Sequence, residues 1–334
     1  MRSPTIKDVA KRAGVGVGTV SRVLNGSPQV RPETREKVLA VIKEMGFSPN
    51  LAARQLSGGK TFTIGVVSPF FTFPSFIERL AGIQDVLDES EYDLVLYSVR
   101  SPDRLHQQLR TIISQNRADG LIILTLRFAE EEVQRIKPDF PIVVVSEDDS
   151  VQHYPHIMID NFEGGVLGTN YLISKGHKDI GFIGDPLDNE FGFNSTLRRF
   201  EGYRHALDEA ELDFNEDWCR FADYSQDSAR EHAWQILNSS PRPTALFVPI
   251  DSLALGALGA IYDLGLRVPD DVAVLGFDDI QAASYIHLTT VRQPLFSSGQ
   301  WVANQLIAWL REGSFDQDQF EVKLPLEIVE RSTV

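Results

Sequence analysis

From Thr63 onward, short β-rich runs alternate with helical segments, and no tight-hairpin signal separates them. That alternation leaves few folds open. The runs TIGVV (63–67), DLVLYS (93–98), GLIIL (120–124) and IVVV (142–145) form one series, with helical stretches at 75–90 and 103–115. IMI (157–159), IGFIG (180–184), ALFV (245–248) and AVLGF (273–277) form a second, with helices near 162–175, 196–210, 226–237 and 252–264. Strands joined through helices pair in parallel, and helices then cover both faces of the sheet. Two series predict two similarly built α/β lobes. One more helix (about 296–311) and β-type runs at 320–324 and 327–330 follow.

The 334 residues leave room for two or three domains. No apolar run reaches the length of a membrane span, and no apolar segment precedes a cleavage site near the N-terminus. The single cysteine, Cys219, excludes an internal disulfide and a cysteine-cluster metal site. A cytoplasmic protein that does not meet the membrane is therefore expected.

The first 61 residues differ in kind. TIKDVAKRAGVGVGTVSRVLN (5–25) reads as two short amphipathic helices around a tight turn. Ile6, Val9, Ala10 and Ala13 share one helical face, and Thr5 with Asp8 approaches a capping box. Gly14 supplies the left-handed residue that ends the first helix. Val20, Val23 and Leu24 are apolar in the second, whereas Thr19, Ser21, Arg22 and Asn25 are polar. This is a helix-turn-helix, a shape that places a helix in the major groove of DNA. A third helix follows, with Pro32 in its first turn, Val38, Val41, Ile42 and Met45 as its stripe, and Gly46 at its end.

Charge supports the division. Residues 1–61 hold eleven Lys and Arg against four Asp and Glu, a balance of +7; residues 62–334 hold twenty-one against forty-three, a balance of -22, within the chain's net -15. A basic head on an acidic body suits a protein that meets phosphates at one end only. Between them, Asn50 to Leu56 can form about two helical turns, too few to be stable alone in water. The stretch is either a flexible linker or a hinge that becomes helical on DNA.

The N-terminal stretch, PNLAARQL (49–56) and the two-lobed body resemble the lactose-repressor (LacI/GalR) family of bacterial transcription regulators. FPSFIERLAGI (73–83), RRFEGYRHAL (198–207), GLRVPDDVAVLGFDDI (265–280) and LTTVRQP (288–294) resemble further family blocks, in order along the chain. The resemblance implies an N-terminal all-α helix-turn-helix head and an α/β, periplasmic-binding-protein-like effector domain of two lobes with parallel sheets. It divides the chain into a head (1–47), a hinge helix and linker (48–61) and an effector-binding and dimerisation domain (62–334). Lobe 1 is expected at about 62–160 and 294–334, lobe 2 at about 161–293. It also implies a homodimer on pseudo-palindromic operator DNA, controlled by a small molecule in the cleft between the lobes. The chain ends after ERST with no heptad tail, so no assembly beyond a dimer is expected.

Arg22 is the strongest base-reading candidate, because a guanidinium can bond both acceptors on the major-groove edge of guanine; a phosphate contact is the alternative. The resemblance places Val17 and Gly18 at the other base-facing positions, where neither side chain can donate a hydrogen bond. Thr5, Thr19, Ser21, Asn25 and Thr34 are candidates for phosphate or sugar contacts, with capping and helix–helix bonds as their alternatives. Gly16 and Arg31 stand where the family often has serine; Arg31 cannot cap but can contact phosphate. Asn50, Ala53 and Leu56 match the family's hinge, with Leu56 as a wedge that opens a base step or as a packing residue.

In parallel lobes, ligands bind beyond the C-terminal ends of strands. Phe70, Phe71, Phe73 and Phe76 crowd the segment after the first strand, and the resemblance has Phe76 face the ligand. Phe191, Phe193 and Trp218 either line the cleft mouth or cover a lobe. Arg199 can bridge two hydroxyls or bind a carboxylate. Asp251 and Asp278 end strands of the second lobe, with Asp278 the better placed; Asp279 can instead hold the lobe interface. Gln293 lies on a return crossover. His177 reads as a loop-packing residue. Ser146 and Glu147 replace the family's common Asp-Arg pair, and Ile250 replaces a frequent asparagine. Glu147, Asp148 and Asp149 add negative charge, which disfavours an anion and leans towards a neutral saccharide. A nucleobase or other non-sugar corepressor is the alternative. A solute-binding protein would lack the basic head, and an architectural DNA protein would not need a cleft. No phosphate loop, dinucleotide fingerprint or nucleophile elbow is present, so neither catalysis nor a cofactor or metal is expected.

Overall fold

The structure, a computed structural model, describes residues 4–24, 27–47, 60–147, 150–188 and 190–334. It divides into two compact units, Met1–Thr61 and Phe62–Val334.

The first unit contains α1 (Ile6–Ala13), α2 (Val17–Leu24) and α3 (Pro32–Met45). The Asp8 carboxylate accepts from the Thr5 backbone N–H at 2.8 Å and from its hydroxyl at 2.6 Å, which ties the first turn of α1. Gly14 ends α1 at φ 66. The Gly16 carbonyl accepts from Thr19 and Val20 at 2.9 and 3.2 Å, so it starts α2 with no side-chain cap. Val9, Ala10, Ala13, Val20, Val23, Val38 and Val41 form the core. Ile42 and Met45 of the expected stripe are only partly buried. A core of such small residues is a marginal one.

The second unit contains two six-stranded sheets. The first comprises β1 (Thr63–Ser68), β2 (Asp93–Ser98), β3 (Gly120–Leu124), β4 (Ile142–Ser146), β5 (His156–Met158) and β11 (Glu321–Lys323), in the order β11-β5-β4-β3-β1-β2. The second comprises β6 (Ile180–Gly184), β7 (Cys219–Phe221), β8 (Ala245–Phe247), β9 (Ala273–Asp278), β10 (Thr289–Arg292) and β12 (Glu327–Val329), in the order β12-β10-β9-β8-β6-β7. All pairs are parallel except β10 with β12.

Period-two alternation sends each strand's residues to both faces. Leu121 and Ile123 pack with Leu105 and Leu109 of α5 (Pro102–Ser114) and Val133 of α6 (Glu130–Ile136). Ile122 and Leu124 pack with Phe76 and Ile83 of α4 (Pro74–Asp88) and Val302 and Leu306 of α12 (Leu295–Glu312). In the second lobe, Leu246 and Val274 face α9 (Gln226–Leu237), α10 (Asp251–Asp263) and α11 (Gln281–Tyr285). Phe247 and Leu275 face α7 (Asn161–Ser174) and α8 (Ser195–Glu209). Among the described residues no helix is long and apolar enough to cross a membrane.

The chain passes between the lobes three times, at 159–161, 293–294 and 324–326. The C-terminal stretch expected wholly in the first lobe therefore divides. α12 and β11 belong there, but β12 pairs antiparallel with β10. Thr333 then accepts from the Thr289 N–H at 2.8 Å and donates to the Val274 carbonyl at 2.7 Å. An edge strand with open backbone groups captured the tail.

Helix pairs inside each lobe meet through glycine. A Cβ on Gly82 would lie 2.0 Å from the Phe296 carbonyl oxygen, and one on Gly299 2.0 Å from that of Arg79. Gly165 and Gly202 bring α7 and α8 together in the same way. Gly82→Ala is expected to cost about 1–3 kcal/mol, because backbone must move to admit it. Calorimetry should show a Tm several degrees lower, and an unchanged Tm would mean that α4 and α12 part freely.

Candidate functional site

The head presents α2 outward. Val20 and Val23 are buried, while Val17, Gly18 and Arg22 are exposed on the opposite side and Thr19 and Ser21 are half-buried. The Arg22 side chain has no partner among the described residues. A Cβ on Gly18 would meet nothing within 4 Å, so packing does not require glycine there. Thr34 is half-buried, and Arg31 is exposed at the start of α3 with no side-chain cap bond. Asn25, Asn50, Ala53 and Leu56 lie outside the described residues, as do Asp148 and Asp149.

A cavity lies between the two lobes, at the C-terminal ends of their strands. Phe73, Phe76, Glu147, Arg199, Asp278 and Gln293 all line it. Ser146 and Asp251 do not; Ser146 lines a smaller neighbouring cavity. Trp218 is buried in the second lobe, where its indole N–H donates to the Pro241 carbonyl. His177 meets the Thr244 hydroxyl at 3.0 Å, away from the cavity, and burial lowers its pKa.

One wall is aromatic and spans both lobes. Phe70 stacks on Phe73, with centroids 4.9 Å apart. It also meets Tyr224 at 5.5 Å, Phe193 at 5.7 Å and Phe191 at 5.9 Å, all from the second lobe. Such a wall offers an apolar surface to a ring.

The floor is a chain of polar groups that crosses between lobes. Arg79, buried on α4, donates to the Ser298 hydroxyl at 3.0 Å and to the Gln293 side-chain carbonyl at 3.4 Å. The Gln293 amide donates to Asp278. The Arg199 guanidinium lies 4.0 Å from that carboxylate and 3.7 Å over the Phe277 ring. It donates to Asn161 at 2.8 Å and to the Pro249 carbonyl at 2.6 Å. Burial pushes the Asp278 carboxyl up to about 6, against the pull of Arg199 and Gln293. Burial lowers Arg79 to about 10, which leaves it charged. Burial also raises Asp185, a further lining carboxylate that accepts from Thr196.

Asp251 stands behind this floor. It accepts from the Ile280 N–H at 3.0 Å and the Thr290 hydroxyl at 2.7 Å. Burial and then Asp278 raise its pKa well above the usual carboxylate range. These bonds hold the turn in which Asp278 and Asp279 adopt φ 121 and 59, conformations rare for non-glycine residues. Asp279 itself accepts from Arg292 and Arg331, both at 2.6 Å.

Sequence reasoning passed over Arg79, Asn161, Asp185 and Tyr224, which also line the cavity. Arg79 carried a usable signal: it follows Phe76 by three residues, on the same helical face. The others lie on loops and helix starts with no periodic cue.

Residues 5–50 match the family described as bacterial regulatory proteins, lacI family, and residues 169–334 match the periplasmic binding protein-like domain. The HTH-type transcriptional repressor PurR of Photorhabdus laumondii is 35% identical over 335 residues, covering 99% of this chain and 96% of its own. A structure described as a transcriptional regulator CelR–cellobiose complex is 31% identical with a TM-score of 0.70, covering 99% of this chain and 100% of its own. The lac repressor dimer bound to operator and the anti-inducer ONPF is 29% identical with a TM-score of 0.85, covering 99% of each chain.

Because the folded state raises the Asp278 pKa, it takes up a proton before the unfolded chain does. Stability that this group withholds at neutral pH is thus regained as pH falls through about 6 towards 4. Asp278→Asn should remove that dependence. The difference in unfolding free energy between the two proteins is expected to change by up to about 3 kcal/mol across this window, read by urea titration. A constant difference would contradict the assignment.

Proposed function

The chain belongs to the lacI family of bacterial regulatory proteins, and from that premise we propose that it is a homodimeric repressor whose operator affinity is set by a neutral saccharide bound between its lobes. The observation that carries this reading is the polar chain Arg79–Gln293–Asp278–Arg199 beneath an aromatic wall. Sugar rings offer hydroxyls to carboxylate and guanidinium groups and an apolar face to aromatic rings. The cellobiose complex of the CelR relative supports a saccharide. The name of the PurR relative supports repression, and the operator-bound lac repressor dimer supports a two-headed arrangement on a pseudo-palindrome.

Control follows from the floor's construction. Asp278 belongs to the second lobe and Arg79 to the first, with Gln293 on a crossover between them. A ligand hydroxyl that bonds Asp278 competes with Gln293 for it and so favours one lobe arrangement over another. Differential affinity of that kind is all a population shift requires. Asp251 acts as a buttress for the turn that carries Asp278. A nucleobase is the second reading, favoured by the stacked Phe70 and Phe73 rings. A calorimetric screen of saccharides, nucleobases, amino acids and sugar phosphates decides: tight binding confined to saccharides is expected, and tight binding confined to any other class overturns the reading.

The proposed DNA contacts are those of the head and hinge, with Arg22 as the base reader and Leu56 as the wedge. Arg22→Ala is expected to weaken operator binding by about ten- to a hundredfold and to relax preference at one base pair. A gel-shift series would instead show uniform weakening on all sequences, with a shallower salt dependence, if Arg22 contacted phosphate.

A further inference from the structure

Two successive backbone N–H groups beyond β9 are taken by carboxylates from different lobes. That of Ile280 donates to Asp251 at 3.0 Å, inside the second lobe. That of Gln281, the next residue, donates to Glu78 of α4 at 2.6 Å, in the first lobe. Gln281 opens α11, where a helix offers its N–H no backbone acceptor of its own. A carboxylate of the other lobe thus satisfies a donor that would otherwise turn to water.

Each end of this bond is fixed within its own lobe. Glu78 shares a face of α4 with Gly82, whose close approach to Phe296 locks α4 to α12. Gln281 follows the turn that Asp251 braces. The bond therefore holds only while the lobes keep this spacing. Glu78 is half-buried and Gln281 exposed, so water can replace either partner when the lobes part. Burial raises the Glu78 pKa against the pull of the Gln281 N–H, and Asp279 adds to the rise. The carboxylate is thus held where its charge is somewhat disfavoured, which keeps the bond easy to break.

The polar floor and the aromatic wall also join the lobes, but they line the cavity, so a molecule there meets them directly. Neither Glu78 nor Gln281 lines it. We infer that Glu78 is a latch outside the ligand's reach, which sets how much of the ligand-free protein has its lobes together. A ligand that requires the closed arrangement binds more weakly without the latch, by as much as the closed fraction falls. The inference needs a cleft that opens and closes; it does not need the ligand to be a saccharide.

The test removes each partner separately. Glu78→Ala deletes the acceptor, and Gln281→Pro deletes the donor. Proline suits the first residue of a helix, and Ile280 before it has φ -61 and ψ 157, the extended conformation that proline asks of its predecessor. Spin labels on Arg104→Cys of α5 and Asp208→Cys of α8, both exposed positions, report the interlobe distance by double electron–electron resonance. The sample is the ligand-free full chain, diluted with unlabelled protein. Cys219 is buried, and burial pushes its thiol up to about 11, so it stays unlabelled. Each substitution is expected to raise the ratio of longer- to shorter-distance protein about tenfold, the effect of one hydrogen bond to a carboxylate. The pair together should do no more than either alone. Glu78→Gln keeps an acceptor oxygen and should stay close to the original protein. Distances unchanged by both substitutions overturn the inference, and so do effects that add in the pair. If one variant fails to fold, the other decides. None of these outcomes depends on which ligand the cavity takes, so failure here leaves the saccharide reading to its own screen.

Discussion

A carboxylate buried between two guanidiniums is tolerable only while its partners remain in place. Asp278 is such a group, and its neighbours come from different lobes. The arrangement of the second unit is organised around satisfying it. Gln293 sits on a crossover where its amide can donate one way and accept the other. Asp251 is buried to hold a turn that the backbone alone disfavours. Asp279, next in sequence, holds Arg292 and Arg331 and so ties the same turn to β10 and the C-terminal tail. Separating the lobes would oblige water to replace these contacts, and a polyhydroxylated molecule can do so without releasing the charge to solvent.

The parallel sheets were legible because their strands are buried on both faces and read as continuous apolar runs, such as GLIIL and IVVVS. β7 was not, because it is a three-residue edge strand with Arg220 at its centre. α6, EEEVQRI, and α11, QAASY, are too short for a helical period to stand out. The final strand was visible as a β-type run, but its sheet was not, since which edge captures a tail depends on packing.

The cavity was legible where residue type and strand end coincide, as with Asp278, and through the family resemblance for Phe76. It was not legible for Asp251, which opens α10 just beyond β8, a position that equally suits a group that touches a ligand and one that braces a turn. Arg79 hid for a different reason. An arginine on an amphipathic helix is ordinarily a solvated residue, and only the fold shows this one facing inward at 3% exposure. In the head, the apolar stripe predicted which side of α2 is buried, because three short helices have only one face to share.

The three crossings between lobes bear on how such a protein can be taken apart or recombined. Neither lobe corresponds to one uninterrupted stretch of coding sequence. Exchanging the second lobe with that of a relative would require splices at 159–161, 293–294 and 324–326 together. A stop placed shortly before β12 would trim an edge strand from the second lobe yet leave every strand of the first intact. New ligand preferences are thus more accessible through point changes in the cavity wall than through shuffling of whole lobes.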